Sequence, residues 1–550
     1  MRNMVKFSVA AAVLLTMAAP SWSQEVLDRT DPSVQERSVP SPDLPTPDPK
    51  PPITVEAPSG TSAATTTAVA VGAVTLVGLD RLTPADFTDI IADHVGRTLP
   101  GDELARLATR IAQRARARGL VFASAWIAPQ RMTAGVLVVH IDEGRIDRIR
   151  IEGDQNAAVA ATLAPLANGR APTLDEVERR LLIAGDIEGI YVRRSRFVRD
   201  ANSGVLVVDV DASRVVARAV LENDGSAPIG PEKLQLDVAA NALLFSDDTL
   251  AVTYVTTPFE PEELQYGRVR YAKRMTDQGT ELGVVASISS TAPGAYLTDR
   301  EIEGQSWSTG ISLLQPIWRR RTASLWFDAE FAVRNLRQSR RDIRVREDRV
   351  TTFRAGLSGN ALAAGGRLRI NATVTRGLDG LGASRAGDPM RSRDDADGTF
   401  TALYVWTDWI RDLGSDFSTR LAARGQISSD PLLLSEEIGL GGTGFLRAYD
   451  YNERSGDEGA MASAELRYDI AKPLGIARRA QLFAYLDGGR VTNLGPDGNS
   501  GSLASGGGGI RSYVTRGLNV ELEVAVPMAG DRFDSGQADP QINFRIAKSF

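Results

Sequence analysis

Few side chains in this 550-residue chain have the type and spacing for chemistry. Its two histidines, His94 and His140, fall in different predicted elements, a helix and a strand, so they form no metal or triad cluster. There is no cysteine, which excludes disulfides, thiolate metal sites and thiol catalysis. Gly506-Gly-Gly-Gly509 lacks the following helix and Lys-Ser/Thr of a phosphate cradle and reads as glycine at a bend. No catalytic residue, metal site or cofactor is expected. Among the charged residues, one cation and one anion stand out for the residues around them. Arg447 sits in the glycine-rich stretch Gly441-Gly-Thr-Gly-Phe-Leu-Arg-Ala-Tyr-Asp-Tyr451, and Asp487 sits in Tyr485-Leu-Asp-Gly-Gly489. A planar guanidinium suits a bidentate clamp on a carboxylate, which lysine reproduces poorly. A loop arginine is ordinarily solvated, but Gly441, Gly442 and Tyr449 around Arg447, with Tyr485 and Gly489 around Asp487, favour a buried ion pair. Glu465, between loop and Asp487 in the chain, is the alternative acid.

The elements that must hold this pair read as strands. Asp487 shares a face with Phe483 and Tyr485, while Leu482, Ala484 and Leu486 face the other way. The same alternation runs through Leu325–Arg334, Leu368–Thr375 and Leu518–Val526, with aliphatics on one face and charges on the other. Sixteen such segments are predicted in 214–550, eleven from 214–223 to 416–427 and five from 459–470 to 541–550. An even number of strands of roughly 9–11 residues fits a membrane β-barrel with a wet lumen. A soluble two-sheet sandwich also alternates. No internal segment has the roughly 18 uninterrupted apolar residues of a membrane helix, so any spanning part must be a barrel.

Upstream, residues 1–23 read as a secretory signal peptide: Arg2 and Lys6, then apolar Phe7 to Ala19, then Ser21 and Ser23 before the cut. Residues 24–70 are rich in Pro, Thr and Ala and predict an extended tether, with weak helix signals near 24–37. Two units of similar plan follow, at 71–145 and 146–213. Each predicts a strand, two helices and two closing strands. Thr83-Pro-Ala-Asp86 and Thr173-Leu-Asp-Glu176 start helices in the two units. Arg114, Arg116 and Arg118 end a helix, either as a solvated face complementing its dipole or as a contact for an acidic segment. With 24% charged residues and a net charge of -6, no nucleic-acid partner is expected.

The loop Leu446-Arg447-Ala448-Tyr449 and the wall acid Asp487 resemble the paired signatures of the BamA-like POTRA-barrel superfamily, with Ala448 in place of the usual Gly. The two β-α-α-β-β units resemble POTRA domains, and Asp142-Glu-Gly-Arg-Ile146 resembles their junction. Over about residues 71–550 the whole is similar to the two-partner secretion transporters, the haemolysin secretion/activation (ShlB/FhaC-like) family. That resemblance implies a protein of the Gram-negative outer membrane with POTRA domains in the periplasm, about sixteen barrel strands and no enzymatic activity. Its partners would be a secreted exoprotein such as an adhesin or haemolysin, outer-membrane lipids, and the barrel-assembly machinery that reads terminal Phe550. It also implies a loop tip folded into the lumen on an Arg447–Asp487 pair, and in some relatives an N-terminal plug helix. An assembly factor for outer-membrane proteins or autotransporters, and a passive porin, stay open as alternatives.

Overall fold

The computed structural model describes residues 27, 29–32, 53–55, 68–200, 203–495 and 500–550. The expected signal peptide and most of the expected tether lie outside the described residues. The tether is nevertheless not wholly without structure. Ile53–Val55 (β1), three residues favoured in strands following Pro51-Pro52, forms an edge strand of the second unit. The first unit also begins earlier than the composition indicates, because Val69–Val71 is already β2.

In that unit Ala73–Val77 (β3) is followed by a turn of 3-10 helix at Pro84–Phe87 and a short helix, Thr88–Ala92 (α1). Asp86 accepts hydrogen bonds from the backbone and hydroxyl of Thr83, which hold its carboxyl below the usual range. Arg97–Leu99 (β4) pairs with β2. Gly101–Ala117 (α2) buries Leu104, Leu107, Ala108, Ile111, Ala112 and Ala115, a stripe at helical spacing. It stops at Gly119, whose φ of 95° suits the left-handed cap. Ser124–Trp126 (β5) and Val136–Asp142 (β6) complete the sheet in the order β3-β6-β5. The second unit runs Arg148–Gly153 (β7), Ala157–Leu163 (α3), Leu174–Gly185 (α4), Ile190–Asp200 (β8) and Ser203–Ala212 (β9). Its sheet is ordered β1-β8-β9-β7.

From residue 215 the chain closes an antiparallel barrel of sixteen strands. Eleven precede the arginine loop: Val215–Glu222 (β10), Lys233–Asn241 (β11), Asp248–Thr256 (β12), Gln265–Arg274 (β13), Glu281–Thr291 (β14), Ile302–Arg319 (β15), Ala323–Arg340 (β16), Ile343–Ala363 (β17), Gly366–Gly377 (β18), Thr401–Gly414 (β19) and Phe417–Ser428 (β20). The loop carries a small hairpin, Ile438–Leu440 (β21) with Arg454–Gly456 (β22). Five strands follow: Glu458–Ala471 (β23), Arg479–Thr492 (β24), Gly501–Tyr513 (β25), Leu518–Ala529 (β26) and Gln541–Ser549 (β27). β10 and β27 close the ring over Arg218–Glu222 and Arg545–Ser549, and the Phe550 amide adds a bond to Ala217 O. Seven strands exceed the expected crossing length by one to three residues, and three overrun it much further: β15 and β16 have 18 residues and β17 has 21. Their pairing continues through the arginine-rich stretch 334–349, so this hairpin stands above the apolar band.

The second unit docks on the barrel through α4 and its ends. Arg319 grips Asp186 with two bonds of 2.5 and 2.7 Å, Arg320 reaches Asp175 at 2.5 Å, and Arg321 meets Glu178. These three consecutive arginines form the end of β15 and the turn after it. On the next turn Arg180 meets Asp277 at 2.8 Å. The ends of the strands at these turns therefore face the N-terminal units, and the long β16–β17 hairpin stands at the far mouth.

Candidate functional site

The loop between β20 and β23 folds back into the barrel, and local backbone chemistry explains how. Gly441 and Gly442 have φ of 105° and 93°, and a Cβ on Gly441 would lie 1.9 Å from the Asp450 carbonyl oxygen. Leu446 also takes a positive φ, 59°, closing a tight turn in which the Tyr449 amide donates to Leu446 O. Phe445, Leu446, Ala448 and Tyr449 are buried against Phe483, Tyr485 and Leu503 of the wall. Ala448, where the resemblance expects glycine, is completely buried, so its methyl packs inside the tip. Gly489 supplies the flat wall: a Cβ there would meet Met461, Leu440 and Leu446 at 2.9–3.1 Å. The Tyr449 hydroxyl lies 2.8–3.0 Å from the carbonyl oxygens of Ala504, Ala529 and Gly530, pinning the tip to the ends of β25 and β26.

Arg447 lies at the centre. Its Nε is 3.1 Å from Asp487 on β24, and its Nη1 is 2.8 Å from Glu465 on β23 and 3.4 Å from Glu523 on β26. Nη2 donates to Ser463 Oγ at 3.2 Å. The guanidinium lies 3.4 Å from the centre of the Tyr485 ring, a cation–π contact. The structure thus brings Arg447 to both acids considered from the sequence and to a third, Glu523, that sequence reasoning passed over. The signal for Glu523 was present, because alternation through Leu518–Val526 puts it on the wet face. What was missing was the barrel register that sets it beside Arg447. Arg467 and Arg511 both pair with Glu465 at 2.6 Å, and Arg511 also reaches Glu521 at 3.0 Å. Among these ion pairs Asp487 meets Arg447 alone, so it depends most on that side chain. Gly506–Gly509 lie on β25 opposite Phe483–Leu486, and a Cβ on Gly507 would come within 2.6 Å of the Tyr485 hydroxyl. The glycine run therefore leaves room for the rings that flank Arg447.

A second arginine, from the N-terminal segment, also reaches the loop. Arg29 is buried among Asp450 and Glu453 of the loop and Asp534 of the β26–β27 connection, at 3.0–3.3 Å, and stacks over Phe533. Leu27 and Arg29 are helical and Gln338 on the β16 wall donates to Leu27 O, so this part of 24–37 lies inside the barrel; its remainder lies outside the described residues. Phe550 is exposed at the end of β27, on the face that carries Ile542 and Ile546. Arg114, Arg116 and Arg118 are spoken for within their own unit, by Asp89, by Ala123 O and by Asp86 respectively. His94 is buried with Nδ1 2.7 Å from Ile90 O, and His140 stacks on Trp126. Among the described residues no group of His, Asp and Glu is arranged to hold a metal ion.

The profile of the haemolysin secretion/activation proteins ShlB/FhaC/HecB matches residues 201–512, more than half of the chain, and that of the ShlB-type POTRA domain matches residues 69–144. The chain belongs to this haemolysin secretion/activation family. The heme/hemopexin transporter protein HuxB of Haemophilus influenzae (strain 86-028NP) is 22% identical over 410 residues, covering 71% of each chain. The outer membrane transporter CdiB of Dickeya dadantii is 23% identical over 463 residues, 81% of this chain and 80% of that one. The solved structure of CdiB from Escherichia coli superposes with a TM-score of 0.69 at 20% identity, covering 96% and 97% of the two chains. BamA from Haemophilus ducreyi lacking POTRA domains 1–3 gives 0.53 at 12% identity over 88% of this chain and 100% of that one. The protein is a two-partner secretion transporter: two POTRA units in the periplasm, a sixteen-stranded barrel in the outer membrane, and a secreted exoprotein as partner.

Proposed function

We propose that an unfolded exoprotein is taken up at the β8 edge of the second POTRA unit and passes through the lumen after the arginine-held loop and the N-terminal segment move aside. The observation that carries this reading is that the chain occupies its own lumen twice, with the Arg447 tip and with the segment around Arg29. A passive porin has no use for such closures, whereas a transporter that opens for cargo needs them. The β8 edge already accepts an extended segment: Ile53, Thr54 and Val55 run parallel to it opposite Ser195, Arg196 and Phe197. Backbone pairing of this kind tolerates many sequences, as capture of unfolded cargo requires, and β1 competes for the same edge. No covalent step is involved, and folding outside the cell supplies the direction. Phe550 ends the strand that the barrel-assembly machinery reads during biogenesis.

Comparing culture supernatants of cells with and without the protein tests this reading. One large exoprotein should vanish from the medium and accumulate or be degraded in the periplasm. Unchanged supernatants in the cell of origin would remove the export reading.

A further inference from the structure

We propose that Glu436 is a second positioning residue of the closed lumen, a catch that fastens the arginine loop to the wall nearly opposite Arg447. The proposal rests on the reading of this loop as a closure that moves for cargo. Between β20 and β21 the chain makes a short 3-10 turn, Leu434–Glu436, in which the Glu436 amide donates to Leu433 O. The turn is seated on the barrel. Leu432 and Leu433 pack with Val350, Phe400 and Ala402, and Arg393 holds the root through Leu432 O, Glu437 and Asp457 at 2.6–3.3 Å. From that seat the Glu436 carboxylate reaches the lumenal face of β16 and β17. It accepts from Arg354 at 2.8 and 3.0 Å and from Arg334 at 3.3 Å. The Gln426 carboxamide donates to Glu436 O at 3.0 Å and fixes the backbone from which the side chain extends. The Glu436 side chain is 8% exposed, so this is a shielded pair and not a solvated one.

The two ends of the loop are held by opposite charges. Arg447 enters acids on β23, β24 and β26, whereas Glu436 enters arginines on β16 and β17. In the ring of sixteen strands β24 lies five strands on from β17 and six on from β16, so the loop crosses the lumen from wall to wall. A loop held at one end swings about it. Held at both ends it is a strut, and widening the lumen must break one charged pair or the other. Arg354 also meets Glu330 at 3.3 Å and Thr352 at 3.0 Å on its own wall. Those contacts persist when Glu436 leaves, so the arginine stays in place and the catch can be remade. A charged acceptor matters here, because hydrogen bonds between two ionised groups are about twice as strong as neutral ones.

Single-channel current through the full-length protein in a planar bilayer, carried by potassium chloride with no exoprotein present, tests the assignment. Glu436→Gln keeps the shape of the side chain and removes its charge, and open probability should rise about tenfold or more. Glu436→Asp keeps the carboxylate and should fall between the wild type and Glu436→Gln. Arg354→Gln should also favour opening, and adding Glu436→Gln to it should raise open probability much less than Glu436→Gln does alone. Combined with Arg447→Ala, which releases the other end, the effect of Glu436→Gln should multiply. Heat-modifiable mobility should be unchanged throughout. Three results would each overturn the proposal: wild-type open probability in Glu436→Gln, independent effects of Glu436→Gln and Arg354→Gln, or no multiplication with Arg447→Ala. The current needs no cargo, so its outcome is separate from the loss or persistence of an exoprotein in culture supernatants.

Discussion

Two regions of this transporter use the same chemistry, arginine against carboxylate, to opposite ends. At the loop tip, the side chains of Arg447, Asp487, Glu465 and Glu523 are at most 5% exposed and lie under aromatic rings. At the joint between the second POTRA unit and the barrel, Arg319 and Asp186 are 6% and 19% exposed, and Arg320 and Asp175 are 42% and 57% exposed. A buried, multiply hydrogen-bonded charge cannot lose its partner without a large penalty, whereas an exposed pair exchanges its partner for water at little cost. The tip is therefore built as a lock with discrete states and the joint as a contact that can rock. Opening the lumen must supply a new partner for Asp487, since Glu465 keeps Arg467 and Arg511 and Glu523 keeps Tyr485 and Asn543. Swinging the POTRA units gives up the partly shielded pairs Arg319–Asp186 and Arg321–Glu178, and exchanges the exposed Arg320–Asp175 pair for solvent.

The largest effect should follow from Arg447→Ala. It strands Asp487 in the wall, at a cost of roughly 3–5 kcal/mol if the site stays dry. Secretion should fall, and the loop should become protease-sensitive, while the barrel keeps its heat-modifiable mobility. Arg447→Lys should restore only part of the loss, because an ammonium cannot make the same fork. A double-mutant cycle of Arg447→Ala with Asp487→Ala, read as secretion rate, should show strong coupling. Additive effects would mean that the two do not act as a pair, and Glu465 and Glu523 would then carry the lock.

This lock also shows where the sequence was legible and where it was not. Strand alternation around Asp487 placed its side chain in the lumen, and the glycines around Arg447 marked a loop with unusual backbone. Those are local properties, set by a period of two and by positive φ. Glu523 and the glycines beneath Tyr485 depend on which strand lies beside which and in what register, and alternation carries no register. The same limit hid Arg29, whose partners are more than four hundred residues away in the chain. It hid β1 as well: a three-residue strand becomes one only because the β8 edge is there to receive it. The excess length of β15–β17 escaped notice because arginines above the membrane pair as well as aliphatics within it.

Arg319→Ala should have the next largest effect. Its two bonds to Asp186 are partly shielded, so losing a charged hydrogen-bonded partner there costs about 1–3 kcal/mol. Spin labels on α4 and on a periplasmic turn should report a broader distance distribution between POTRA unit and barrel. The loop tip should stay protected from protease, and Arg447→Ala should leave the distribution unchanged. If either variant moved both readouts, lock and joint would be one coupled unit and the contrast would fail.

The smallest effect belongs to Arg320→Ala. The exposed pair with Asp175 is worth about 0–1 kcal/mol, so at low ionic strength the distance distribution should widen only slightly. Salt then separates the two regions without mutation. The screening length shrinks to roughly 3 Å at 1 M salt, which should loosen the wild-type joint and make Arg320→Ala indistinguishable from the wild type. The tip should be indifferent, because Tyr485, Arg447 and its three carboxylates are at most 5% exposed. Protease sensitivity of the loop across a salt titration is the deciding measurement. A tip that loosened in step with the joint would show that ions enter the lock, and the dry-site cost assigned to Arg447 would have to be reduced accordingly.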